Sequence, residues 1–281
     1  MADVSAADVA ALRKATGAGM MDCKTALEES GGDIEAAKDV LRKKGLAGAS
    51  KRAGRAADQG AIDVVVEGGV GAIAELTAET DFVAKGAEFT ETVAKLAERA
   101  VEAGKDELAE LEFEGTTVGE HVTQLAARLG ENVALGRIIV FETADGVLDG
   151  YKHVQNDRGT IGVLVELGGV DPSDAKAKEV AHDVALHVAS AAPRWLSRDD
   201  VPSDVIEKER AVLEELTRNE GKPENALEKI VEGRLNGFYK ESCLLEQGFV
   251  KEPKTTIKKV VEGLGAGAEV RRFARVKIGE D

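Results

Sequence analysis

Near residue 60 the apolar side chains change their spacing, and that change limits the chain to a mixed fold. Before it they recur at helical intervals: Val9 and Leu12, then Ile34, Ala37, Val40 and Leu41. After it, Ile62-Asp63-Val64-Val65-Val66 and Ala72-Ile73-Ala74-Glu75-Leu76 are rich in β-formers, with Gly68-Gly69 between them as a turn. The first run predicts three short helices. Ser5 and Asp8 make a capping-box-like start, and Thr16-Gly17-Ala18-Gly19 breaks the chain. A second helix follows over about residues 22–29, and Asp33 caps a third that Gly45 stops. The next stretch, GLAGASKRAGRAADQG, reads as a linker by composition. The second run predicts a β-hairpin.

Helices and strands then continue in blocks. One helix carries Phe89, Val93, Leu96, Ala97 and Ala100 on a single face, and another spans about 119–129. Residues 137–141 and 147–153 suggest a second hairpin turning at Ala144-Asp145-Gly146, with a further strand over 161–167. Residues 174–191 are helical. Two charged helices, 203–219 and 223–239, are joined by Gly221-Lys222-Pro223 and should form a protruding antiparallel pair. A last strand covers 269–277. Such blocks define an α+β class and not a doubly wound βαβ sheet.

Charge and motif content narrow the function. Acidic residues number 52 against 37 basic ones, for a net charge of −15, which opposes binding to phosphate backbones. Direct contact with nucleic acid is therefore not expected. The densest basic run, Lys43, Lys44, Lys51, Arg52 and Arg55, reads as a solvated linker. No stretch of about 18 apolar residues exists to span a membrane. The opening segment is acidic and amphipathic, unlike a signal or transit peptide, so a cytoplasmic protein is expected. Cys23 and Cys243 stand alone, which suits a reducing compartment and predicts neither a disulfide framework nor zinc. There is no GxxxxGK[ST], no GxSxG and no HxxxH; Gly263 to Gly267 lack dinucleotide-loop spacing, and His182 and His187 do not share a helix face. The chain is expected to be no enzyme and to need no cofactor or metal of its own.

Thr80-Asp81-Phe82-Val83 stands where a strand hands over to a helix, and Thr80 or Asp81 can serve as N-cap. Phe82 then has two readings. In one it packs under the hairpin and Asp81 is only a cap. In the other, an aromatic beside a carboxylate projects from the junction to enter a partner's pocket. The residues alone leave both open.

Two segments resemble the signatures of bacterial elongation factor Ts: LRKATGAGMMDCKTAL (12–27) and ELTAETDFVAK (75–85). Further similarity lies in IGVLVEL (161–167), HVASAAPRW (187–195), DVIEKE (204–209) and GKPENALEKIVEGRLNGF (221–238), collinear over nearly the whole chain. The resemblance implies a ubiquitin-associated-like three-helix domain at 1–53 and a core of two sheet-plus-helix subdomains, 54–145 and 146–180 with 229–281. It also implies an antiparallel helical hairpin of the dimerisation type inserted at 181–228, which leaves self-association open.

By that resemblance the partner is elongation factor Tu, with its GDP and magnesium, and the activity is guanine-nucleotide exchange. Thr80, Asp81, Phe82 and Val83 would press against the GTPase near its magnesium and dislodge the ion. Arg13, Met20 and Met21 of the first domain, and His153, would make further partner contacts. Three departures stand out: Thr77 replaces the usual Asn, residues 154–160 are longer than the usual Gly-Arg connection, and the chain stops soon after Val276. The second bears on the pose of His153, and the third would remove any contact made by a further helix.

Overall fold

The helical spacing at the start closes three helices around a small apolar cluster. Residues 4–280 are described in the computed structural model; residues 1–3 and 281, the outer ends of the first and last expected units, lie outside the described residues. Helix α1 (Ala6–Thr16) begins at a reciprocal Ser5–Asp8 capping box and ends at Gly17, whose positive φ of 69° suits glycine. Helix α2 (Met20–Glu29) follows, then α3 (Ile34–Arg52) behind its Asp33 cap. Leu12, Cys23, Leu27, Ala37 and Leu41 fill the space between them.

Gly45 does not stop α3. The helix runs on to Arg52, through most of the expected linker. Gly45 lies where α3 crosses the helix over Val118–Leu129, and a Cβ there would stand 3.0 Å from the Ala127 Cβ. Its missing side chain thus serves close helix packing in place of helix termination. Of the basic run, Lys43, Lys44, Lys51 and Arg55 are exposed as expected, Lys44 pairing with Asp22 and Arg55 reaching Glu79, while Arg52 is half-buried and donates to the Ala126 carbonyl.

The hairpin of β1 (Gln59–Glu67) and β2 (Val70–Ala78) turns at Gly68, with φ 59°. A one-turn helix α4 (Asp81–Ala84) comes next, then α5 (Ala87–Ala103) and a short ribbon of β3 (Glu112–Phe113) and β4 (Thr116–Thr117). Helix α6 (Val118–Leu129) leads into β5 (Val133–Glu142), which pairs antiparallel with β2 to complete a sheet of order β1-β2-β5.

The hairpin expected between 137–141 and 147–153 does not form. Strand β6 (Val147–Gln155) pairs instead with β7 (Arg158–Gly168), so the chain changes sheets around Asp145. The reason lies in the faces of β5. Val133 and Leu135, then Ile138 and Val140, all join the apolar layer under α5 and α6, because an irregularity opposite Ala74–Leu76 resets the alternation. That side chain pattern fits β2's neighbour. The β6–β7 turn is Asn156-Asp157, both with positive φ (53° and 61°), a conformation these two residues tolerate. The extra residues at 154–160 therefore lengthen a hairpin and do not form a loose loop.

Helix α7 (Ala175–Ala191) packs on β6 and β7. Helices α8 (Ser203–Asn219) and α9 (Glu224–Ser242) then form the expected antiparallel pair, tied by Arg234–Glu220. Of the bounds implied for the insertion, residue 181 lies within α7, whose Ala181, Val184 and Val188 join the second sheet's apolar layer, and residue 228 lies within α9. A ribbon of β8 (Gly248–Phe249) and β9 (Glu252–Thr256), helix α10 (Ile257–Glu262) and strand β10 (Glu269–Lys277) finish the fold. Strand β10 joins β7 on the side opposite β6.

The two sheets face each other through Ile62, Ile73, Phe141, Leu164 and Val276. Gly162 lets them approach, since a Cβ there would meet Ile62 at 2.7 Å. Helices cover the outer faces: Phe89, Leu96 and Leu125 on the first sheet, Val184 and Val188 on the second. The result is helix, sheet, sheet, helix, with the three-helix module held alongside by α3. The α+β expectation is met by mixed helices and antiparallel strands.

One buried histidine, His187, and one half-buried histidine, His121, set a pH dependence. His187 Nδ1 accepts from the Val250 N–H at 3.3 Å, so its Nε2–H donates to Gln247 at 2.9 Å, which makes the ring neutral. Burial holds His187 below the ordinary histidine value, and burial does the same to His121 beside Phe113. A group with a depressed folded pKa that must be neutral in the fold is protonated first in the unfolded chain. The contribution of these two histidines should therefore be constant above neutrality and be lost as pH drops below about 6.5 through the lowered values. Urea midpoints at a series of pH values check this; His187→Gln should flatten part of the slope.

Candidate functional site

Strand β2 ends at Ala78, with its side chain fully buried, and delivers the chain to the surface within three residues. Thr80 has extended backbone angles, and its hydroxyl accepts from the Val83 N–H at 3.3 Å, so Thr80 and not Asp81 is the N-cap of α4. The one turn that follows sorts its side chains by direction. Ala84 is buried, Val83 packs on the layer under α5 and α6, and Phe82 points away with 82% of its surface exposed. Phe82 is thus not a core residue. An aromatic left in water costs the chain apolar hydration, and singly exposed ones of this size are few among the 7 phenylalanines here.

Asp81 occupies the first helical position, where a carboxylate suits the exposed N–H groups. Its pKa is held below the usual carboxylate range by a 2.7 Å bond from Lys85, and the Arg158 guanidinium at the head of β7 adds to the effect. The tip therefore presents an ionised carboxylate beside an aromatic ring. Thr77, one of the departures, donates from its hydroxyl to the Ala134 carbonyl of β5 at 3.3 Å and leaves the ladder intact.

The backbone of the tip is fixed from outside. Thr80 donates through both its N–H and its hydroxyl to Glu131, at 2.9 and 2.6 Å. Glu79 accepts from the Asn132 N–H at 2.6 Å, a bond that holds its pKa low, with Arg55 assisting. Sequence reading missed these partners. They lie some fifty positions downstream in the turn between α6 and β5, and no local pattern ties them to Thr80.

Arg13, Met20 and Met21 come together on the three-helix module. With Val9 and Lys24 they line an open groove of about 680 Å³. Gly17 turns α1 into α2 so that both methionines stand outward, 59% and 69% exposed. Methionine suits a surface that adapts to a partner. His153 lies elsewhere, exposed near the end of the β6–β7 hairpin, with Nδ1 at 3.1 Å from the Tyr151 hydroxyl. Arg158 at the same hairpin end bonds Gln59 at the root of β1. That bond sets the hairpin end beside the strand pair that carries the tip.

Among the described residues no group of three or more His, Cys, Asp or Glu is placed to hold a metal, and no helix is long and apolar enough to cross a membrane. A braced aromatic tip and an apolar groove on a separate module are features suited to contact with a macromolecular partner. Comparison with known proteins gives the family. The family model described as Elongation factor TS matches residues 79–280. Elongation factor Ts of Micrococcus luteus is 46% identical over 99% of this chain and 100% of its own length, and that of Streptomyces coelicolor is 45% identical over the same shares. The Rhodospirillum rubrum protein of that name is 46% identical over 100% of this chain and 94% of its own. The chain belongs to the elongation factor Ts family, nucleotide-exchange factors of translation elongation.

Proposed function

We propose that this chain accelerates GDP release from elongation factor Tu by pressing the Thr80–Val83 tip against the nucleotide-binding domain of that GTPase. The observation that carries the reading is the exposed Phe82 ring on a backbone fixed by Glu131. Asp81 and Phe82 enter near the partner's magnesium and displace it. Arg13, Met20 and Met21 dock the three-helix module on the same domain, and His153 reaches another part of the partner. GDP and magnesium belong to the GTPase; the chain works in the cytoplasm, touches no nucleic acid directly and supplies no cofactor. Val212 and Leu216, exposed on α8, leave self-association open.

No covalent chemistry is involved. A factor that binds the nucleotide-free GTPase better than the GDP form must weaken GDP binding by the same ratio. Magnesium compensates the phosphate charge, so its displacement removes attraction at the moment of release. The mechanism makes a specific demand on metal. With millimolar magnesium, saturating amounts of the chain should speed fluorescent-GDP release from elongation factor Tu strongly. In excess EDTA the stimulation should shrink toward a few-fold, because the ion to be displaced is already gone. An equal stimulation in both buffers would assign the acceleration to something other than magnesium.

A further inference from the structure

The Thr80 cap is held by more than a single helical turn requires. A threonine N-cap is satisfied once its hydroxyl accepts from the third helical N–H, and Val83 supplies that bond at 3.3 Å. Yet both of Thr80's own donors go to the two oxygens of one carboxylate 51 residues away, that of Glu131. A second connection crosses the first. Glu79, the residue before Thr80, accepts from the N–H of Asn132, the residue after Glu131. Asn132 is buried, and its amide donates to the Arg55 carbonyl at 2.7 Å, just past the end of α3. The Arg55 guanidinium turns back to Glu79 at 3.4 Å. Tip, α6–β5 turn and the root of the three-helix module are thereby closed into one ring of bonds.

Strand pairing does not account for this ring. The β2–β5 ladder already joins Ala78 to Val133, and the bonds of Glu79, Thr80, Glu131 and Asn132 lie beyond that last rung. They act on the segment that carries Phe82. A one-turn helix has no stability of its own, so its direction is set by what holds its ends.

We propose that Glu131, with Glu79 and Asn132, is a positioning clasp that fixes the direction of Phe82 relative to the three-helix module, so that a GTPase docked on the module meets the tip in the inserting orientation. The proposal rests on the reading of Thr80–Val83 as the exchange-promoting tip. Glu131 touches neither nucleotide nor magnesium; it acts through Thr80. Without it, Val83 and Ala84 still anchor α4, but the tip samples other directions, and only the fraction aimed correctly exchanges nucleotide. Docking through the module persists.

The test uses the full chain, elongation factor Tu and a fluorescent GDP. Glu131→Ala should lower the saturating release rate at least about fivefold, while the half-saturating concentration changes by less than about twofold. Glu131→Gln keeps one acceptor and should fall between; it also serves if the alanine variant does not fold, which thermal melts will show. In a Phe82→Ala background, Glu131→Ala should add almost nothing, because no ring remains to be aimed. Folded Glu131 variants with the parent's saturating rate, beside a slow Phe82→Ala, would overturn the clasp and leave the tip reading intact. Full additivity of the two substitutions would also overturn it. A Phe82→Ala protein as fast as the parent would remove the tip reading itself.

Discussion

Phe82→Ala is expected to leave the protein as stable as the parent and to slow its saturating stimulation of GDP release about thirtyfold. The two halves of that expectation have separate causes. Phe82 is 82% exposed, so its truncation opens no cavity and removes no packed neighbour. On the proposed reading it acts in the nucleotide-releasing complex, where an aromatic anchor that enters the partner's pocket only as GDP leaves contributes roughly 2 kcal/mol or more. Expressed in a rate, 2 kcal/mol is about thirtyfold. Thermal melts and stopped-flow release on the same preparation read the halves independently. A loss of stability with a normal rate would reverse the assignment.

Phe89→Ala is expected to do the opposite. Seven residues further on, this ring is fully buried in the layer between the first sheet and helices α5 and α6. Truncating a buried phenylalanine costs about 3–5 kcal/mol, from lost transfer energy and the cavity left behind. The thermal midpoint should drop by roughly 10 °C, and the denaturant midpoint should fall with it. Below the new transition the tip keeps its Thr80 cap and its bonds to Glu131, so release per folded molecule should stay near the parent's. A Phe89→Ala protein with an unchanged midpoint would show that the layer under α5 is not closely packed.

These two rings mark how far the sequence could be read. Phe89 sits in a strong helical pattern with Val93, Leu96 and Ala100, and periodicity alone assigns it to the core. Phe82 sits in a four-residue helix, too short for any period, so its exposure was visible only once β2, Thr80 and Val83 were placed. The strands were legible from their β-formers, but their partners were not. Residues 137–141 pair with β2 across the α5–α6 excursion, and a turn-like Ala144-Asp145-Gly146 gives no warning that the chain is changing sheets. Gly45 misled for a related reason: a glycine that ends a helix and one that admits a neighbouring helix look alike until Ala127 is seen against it. The clasp on Thr80 is the extreme case. Its residues are ordinary, and only the fold gathers them.

The central claim is that the Thr80–Val83 tip expels nucleotide from a GTPase and does not merely hold it. Preload elongation factor Tu with fluorescent GDP in millimolar magnesium, chase with excess unlabelled GDP, and follow release as this chain is titrated. The account predicts an off-rate that rises to a plateau with the parent chain and a plateau about thirtyfold lower with Phe82→Ala. A stable complex whose GDP off-rate equals that of the GTPase alone would contradict it.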